Sequence, residues 1–183
     1  MKQKLLKYLL FVYLASQVGY YTFAPLYSLF AHNLHLPAKT ISFIWSGYSL
    51  IAAVFILLMG RIENKMRKGK MVVFGYLIYA VGALSFILVH SEKSLIIVLA
   101  INALGCGVTL PAYKTMFAKS ETRGKESQEW SWLDAGNMFA AAVGAGIGGL
   151  IIGAFGFKGL FITMAAIQTL AAFVAYRIFF YKS

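Results

Sequence analysis

Residues Gly105–Gly153 read GCGVTLPAYKTMFAKSETRGKESQEWSWLDAGNMFAAAVGAGIGGLIIG, two apolar segments rich in small residues on either side of a short charged loop. The second segment carries Gly144, Gly146, Gly148, Gly149 and Gly153. In a soluble helix each interior glycine costs about 1 kcal/mol relative to alanine. In a bilayer the same residues let helix backbones approach closely. Asp134 and Asn137 lie near the start of this segment, where polar groups need partners. The stretch predicts a tightly packed pair of membrane helices with a polar face.

The rest of the composition agrees. Of 183 residues, 60% are hydrophobic and only 13% are charged. A soluble domain of this length has no use for so much apolar surface. The formal charge of +11 does not point to nucleic acid, because the basic residues cluster between apolar runs instead of covering one face. The single cysteine, Cys106, excludes an internal disulfide and a thiolate metal cluster.

About 20 mostly apolar residues are needed to cross a hydrocarbon layer roughly 30 Å thick. Six segments meet that requirement: residues 5–30, 40–60, 71–90, 94–117, 130–155 and 159–181. The expected fold is therefore all-α, a single six-helix transmembrane bundle over residues 1–183. Of the 17 lysines and arginines, all but Lys39, Lys93 and Lys158 fall on one side of this arrangement. The excess of positive charge assigns that side, with both termini, to the cytoplasm. The first segment is too long for a signal-peptide core and no clear cleavage site follows it, so it is read as a retained span. His32, His35 and His90 fall in or beside the outer loops, where solvated histidines are the commoner case.

Helical periodicity sorts the faces. Tyr13, Gln17, Tyr20, Ala24 and Tyr27 recur at steps of three and four, as do Asn102, Cys106, Thr109 and Tyr113. Amides near mid-membrane are costly unless they face a partner or a wet cavity, so Gln17 and Asn102 are read as cavity residues. Ser42, Ser46, Ser49 and Ala53 make a weakly polar stripe better suited to packing, since intramembrane hydrogen bonds average only about 0.6 kcal/mol. Asp134, Asn137, Ala141, Gly144 and Gly148 share a face of the fifth segment, while the third and sixth look lipid-facing apart from Gln168. Lys114 and Asp134 are expected at similar depth across an antiparallel hairpin, with a salt bridge as the favoured account. Asp134 is the only acidic side chain inside a span, and so the first candidate for proton coupling.

Enzymatic constellations are missing. There is no G-x-S-x-G serine, no H-E-x-x-H pair and no phosphate-binding loop. Cys106 lies mid-membrane while every histidine is outside, so no thiolate–imidazole pair can form. Neither a metal nor a cofactor is expected.

At this point the residues resemble a family. Gly60–Lys70, GRIENKMRKGK, is similar to the signature loop of the major facilitator superfamily, G-x-L-A-D-[RK]-x-G-[RK]-[RK]. Gly60, Ile62, Lys65 and Lys68 match, whereas Asn64 replaces the usual Asp and Arg67 the usual Gly. Gly105, Gly107 and Pro111 follow the family's G-x-G-x-x-x-P arrangement. Gly144–Gly149 resembles its G-P-x-x-G-G motif with Ala145 in place of Pro, and FGFKGLF, Phe155–Phe161, resembles the start of its sixth helix. Members usually have twelve helices in two halves related by an axis along the membrane normal. The resemblance implies that this chain covers one half, and that two identically inserted copies rebuild the whole as a homodimeric transporter of a small solute in the cell membrane. It further implies that helices one and four line the cavity. Helices two and five would meet the other half, which makes Ser42, Ser46, Ser49, Ala53, Ala141, Gly144, Gly148 and Gly149 dimer-interface candidates. Gly60, Asn64, Lys65, Arg67 and Lys68 would form a gating loop, with its usual contacts altered by the two departures. The rival readings are a non-transporting membrane scaffold or subunit, and a heterodimer with another six-helix chain.

Overall fold

The structure, a computed structural model, describes residues 2–181; Lys182, one of the basic residues counted above, lies outside the described residues. Helix α1 (Lys2–Tyr21) leads through a 3-10 turn, Ala24–Leu26, into the short α2 (Tyr27–Asn33). The break within the expected 5–30 helix is Pro25's doing: it donates no backbone hydrogen bond and disfavours helical geometry in the residue before it. Helix α3 (Ala38–Ile62) runs into a second 3-10 turn, Glu63–Lys65, before α4 (Lys68–Ser85). Helix α5 (Glu92–Ser120) begins at a reciprocal cap. The Ser94 N–H donates to the Ser91 hydroxyl oxygen, and the Ser91 N–H donates back to Ser94 Oγ.

Helix α6 spans Glu126–Tyr181 and is interrupted at Gly156, with φ 65° and ψ −170°. That backbone conformation is essentially reserved for glycine. A straight helix of this length would reach about 80 Å, far more than a bilayer's hydrocarbon core. It turns back instead. Along α1 and just past its end, Leu14, Tyr21 and Thr22 meet Gly136, Gly144 and Gly148 in turn, so the first arm (126–155) runs parallel to α1. Along the same path Ser16 meets Gln168 and Phe23 meets Phe161, so the second arm (157–181) runs the opposite way. Among the described residues five helices, Gln3–Asn33, Ala38–Lys65, Lys68–Leu88, Glu92–Ser120 and Glu126–Phe180, are long and apolar enough to cross a membrane, and the last of them is the one folded at Gly156.

Packing departs from the hairpin expected for residues 105–153. Helix α5 packs on α3 and α4, whereas α6 packs on α1 and α4, so the two helices that share the charged loop meet only beside it, where Phe117 lies 4.9 Å from Trp130. Small residues make the contacts close. Tyr79 of α4 lies against Gly105 of α5, and a Cβ at Gly82 would come 2.6 Å from Asn102 Nδ2.

Two apolar cores are stacked along the bundle. One gathers Phe23, Phe30, Phe86, Leu95, Phe161 and Met164 near the α4–α5 turn. Its rings interlock, with Phe23 at 4.7 Å and Phe161 at 5.1 Å from Phe86. The other gathers Leu6, Leu9, Met71, Val72, Phe117, Leu133 and Ala175 towards the basic end. The third and sixth segments are not merely lipid-facing: α4 and the second arm of α6 supply Tyr76, Ala83, Leu160, Phe161 and Ala172 to these cores. Gln168, which looked isolated, is buried and accepts from Ser16 Oγ at 2.8 Å while its amide donates to the Ser16 carbonyl at 3.0 Å.

Candidate functional site

A cavity of about 250 Å³ opens where α1, α3, α4 and α5 converge. Helix α1 contributes Tyr13, Ser16, Gln17 and Tyr20, one face at steps of three and four. Helix α5 contributes Cys106, Thr109, Leu110 and Tyr113 in the same rhythm. Tyr48 of α3 and Tyr76 and Tyr79 of α4 complete the wall. Six tyrosines and no charged side chain line the space. Tyr13 and Tyr113 stack across it with centroids 4.5 Å apart and ring planes 18° from parallel.

The polar groups are unequally satisfied. Gln17 Nε2 donates to Asn137 Oδ1 at 2.7 Å, and Asn137 Nδ2 donates to the Tyr21 hydroxyl at 3.3 Å. This chain ties α1 to the first arm of α6. On the opposite wall the Thr109 and Tyr113 hydroxyls are buried without a hydrogen-bond partner. A buried orphan hydroxyl costs about 1–3 kcal/mol, a debt that a ligand's polar atom or a water can cancel.

Of the expected cavity residues, Tyr13, Gln17, Tyr20, Cys106, Thr109 and Tyr113 line this space. Asn102 does not. It is buried over Gly82 of α4 and donates from Nδ2 to its own helix at the Val98 carbonyl, 2.9 Å away. The amide is satisfied within its own helix turn, so it needs no wet cavity. Tyr48, Tyr76 and Tyr79 were missed because their helices read as apolar or serine-striped. The available signal was the three-residue step between Tyr76 and Tyr79, which puts both on one face.

Lys114 and Asp134 form no ion pair, and both are exposed. Their helices meet only beside the loop, at Phe117 and Trp130, and are not packed along the stretch that carries Lys114 and Asp134. Gly144 and Gly148 are also corrected. Both are buried against α1 of the same chain, Gly144 by Val18 and Tyr21 and Gly148 by the Thr22 backbone, so neither is free to meet a second copy. Ser42, Ser46, Ser49, Ala53 and Gly149 are exposed, and Ala141 is half-buried.

Gly60 lies in the last turn of α3, and a Cβ there would meet open space. Lys68 Nζ donates to Asn64 Oδ1 at 3.5 Å and stands 3.9 Å from Glu63 Oε1. Glu63 is buried and accepts from Thr115 Oγ1 of α5 at 2.7 Å. The loop's carboxylate therefore sits one residue before Asn64, and it clips the α3–α4 turn to α5. Lys65 is exposed, and the Arg67 guanidinium lies 5.3 Å over the Phe180 ring.

The family model described as Major Facilitator Superfamily matches residues 9–183. The chain belongs to the major facilitator superfamily. A crystal structure of the POT family transporter PepTSo superposes with a TM-score of 0.78 at 18% identity, over 96% of this chain and 37% of that one. The likeness shows a major-facilitator fold, of which this chain spans little more than a third of PepTSo's length. No curated protein matches. Membership in the superfamily makes this an integral membrane protein of a transporter family, not of an enzyme family. Among the described residues no cluster of His, Cys, Asp and Glu suits a metal ion.

Proposed function

We propose that this chain is a six-crossing half of a secondary transporter that works as a homodimer in the cell membrane, with both termini cytoplasmic. The observation that carries the reading is the tyrosine-lined cavity, whose wall is drawn mostly from the second apolar core. A packed scaffold has no reason to keep an open hollow lined by tyrosines beside its core, nor to leave the Tyr113 hydroxyl without a partner.

The reversal at Gly156 supports six crossings, because the two arms of α6 run antiparallel along α1. The excess of basic residues on one side supports the orientation. Two copies inserted alike would face each other across the exposed stripe of Ser42, Ser46, Ser49 and Ala53 on α3 and the side of α6 carrying Ala141 and Gly149. Rocking of one copy against the other would expose the cavity alternately to each side. Without a charged wall the site suits a neutral, polar or amphipathic small solute, with the Tyr13–Tyr113 pair offering a face on which a ring or sugar stacks. Gln17 and Tyr20 would supply its hydrogen bonds. Asp134, exposed on the first arm, remains the candidate for proton coupling.

Cys106 lines the cavity and is the only thiol in the chain, so it serves as a built-in reporter. In intact membranes a water-soluble maleimide is expected to label Cys106, and Tyr20→Trp, which fills the space beside it, to slow labelling at least tenfold. Complete protection of Cys106 from both sides of the membrane would replace the transporter reading with the scaffold.

A further inference from the structure

A second hollow, larger than the tyrosine-lined cavity at about 520 Å³, lies on the outside of the bundle. It runs between α4 and the second arm of α6, with Val108 of α5 at its back. Phe74 and Leu77 of α4 and Tyr176 and Phe180 of α6 form its sides. The helices are drawn together at its foot, where a Cβ at Gly69 would come 2.9 Å from Phe179 Cβ. Among the described residues Lys70 is the only charged one in the lining, at the end nearest the α3–α4 loop. Arg67 stands one turn away and is held by its guanidinium over Phe180, itself a wall of the groove. Among the described residues no carboxylate lines the groove. The loop's own acid, Glu63, is turned to Thr115 and Lys68 and so does not neutralise Arg67 and Lys70.

We propose that this groove holds one anionic phospholipid of the leaflet that meets the α3–α4 loop, with an acyl chain against Phe74 and Leu77 and its phosphate between Lys70 and Arg67. Three features carry the assignment: an apolar trough open to the side of the bundle, a cationic rim at one end only, and the diversion of the nearby carboxylate. Each methylene removed from water contributes about 0.8 kcal/mol, but a zwitterionic lipid gains this equally. The preference for an anionic headgroup therefore rests on the two cations.

The test is native mass spectrometry of the full chain, purified and offered equal phosphatidylglycerol and phosphatidylcholine of identical acyl composition. Wild type is expected to retain phosphatidylglycerol about tenfold or more over phosphatidylcholine. Arg67→Gln with Lys70→Gln is expected to abolish that preference, by roughly thirtyfold at most for two cations. Leu77→Trp, which fills the trough, is expected to reduce retention of both lipids. Lys119→Gln with Arg123→Gln removes two charges elsewhere and is expected to leave the preference unchanged. Helix content by circular dichroism checks that each variant is folded. Equal retention of the two lipids by wild type overturns the proposal, as does an equal loss from the Lys119 and Arg123 variant, which would reduce the effect to net charge. Displacement of phosphatidylglycerol by inorganic phosphate alone would overturn the acyl-chain part.

Discussion

Gly148 and Asn102 show how much a single side chain decides here. The Cβ position at Gly148 is occupied by the Thr22 backbone, so Gly148→Leu must push α1 and α6 apart. Overpacking of this kind typically costs about 1–3 kcal/mol. The expected outcome is a lower thermal midpoint in detergent with the monomer–dimer balance shifted only as far as folding is lost; a stable, purely monomeric variant would return Gly148 to the dimer interface. Asn102→Leu is expected to destabilise as well, since it removes the bond to Val98 and crowds Gly82. Gln17→Leu breaks only the bond to part-buried Asn137 and is expected to cost about 0.5–1.5 kcal/mol, while transport falls at least tenfold. Thermal unfolding of both variants beside vesicle uptake separates packing from cavity. The two amides were indistinguishable in the sequence because each sits on a polar stripe at helical spacing. Only the slot made by Gly82, twenty residues upstream on another helix, sends Asn102 away from the cavity.

Among the elements, α6 carries the largest departure from regular geometry. Gly156 has φ 65° and ψ −170°, a region where any other residue is strained. Gly156→Ala is expected to cost about 1–3 kcal/mol and to lower the yield of folded protein. An unaffected yield and thermal midpoint would mean that the arms are held by packing alone. The break was legible in FGFKGLF as the end of one apolar run and the start of the next. Helix boundaries elsewhere were legible for the same reason, because polar and basic residues interrupt the apolar runs where spans end. The interruption at Pro25 was also visible as a residue type but was masked by the apolar run around it. What sequence could not supply was the neighbour list. Residues 105–153 form consecutive helices, yet α1 takes the place beside α6 that α5 was expected to hold, and this separated Lys114 from Asp134. Half the tyrosines of the cavity stayed hidden on α3 and α4 for the same reason, since inward and outward faces of an apolar span look alike until its neighbours are known.

For the whole molecule, the homodimer reading has a direct consequence in mass. Native mass spectrometry in a mild lipid environment is expected to give twice the 20.2 kDa of one chain across a wide concentration range. Ser46→Cys, placed on the exposed stripe of α3 in a Cys106→Ala background, is expected to trap that dimer with a short thiol cross-linker. A persistent monomer that keeps its lipid and its helix content would instead direct attention to a different partner chain. The fold at Gly156 bears on how such a molecule can be mapped. One residue makes the turn, with helix on both sides, so no loop there offers a protease a flexible segment to bind or an inserted epitope room to stand clear. Limited digestion would report residues 126–181 as one resistant fragment and so miss the reversal within it. A topology map made by cutting or tagging alone would then place the carboxyl terminus on the side opposite to the one that the six-crossing proposal gives it.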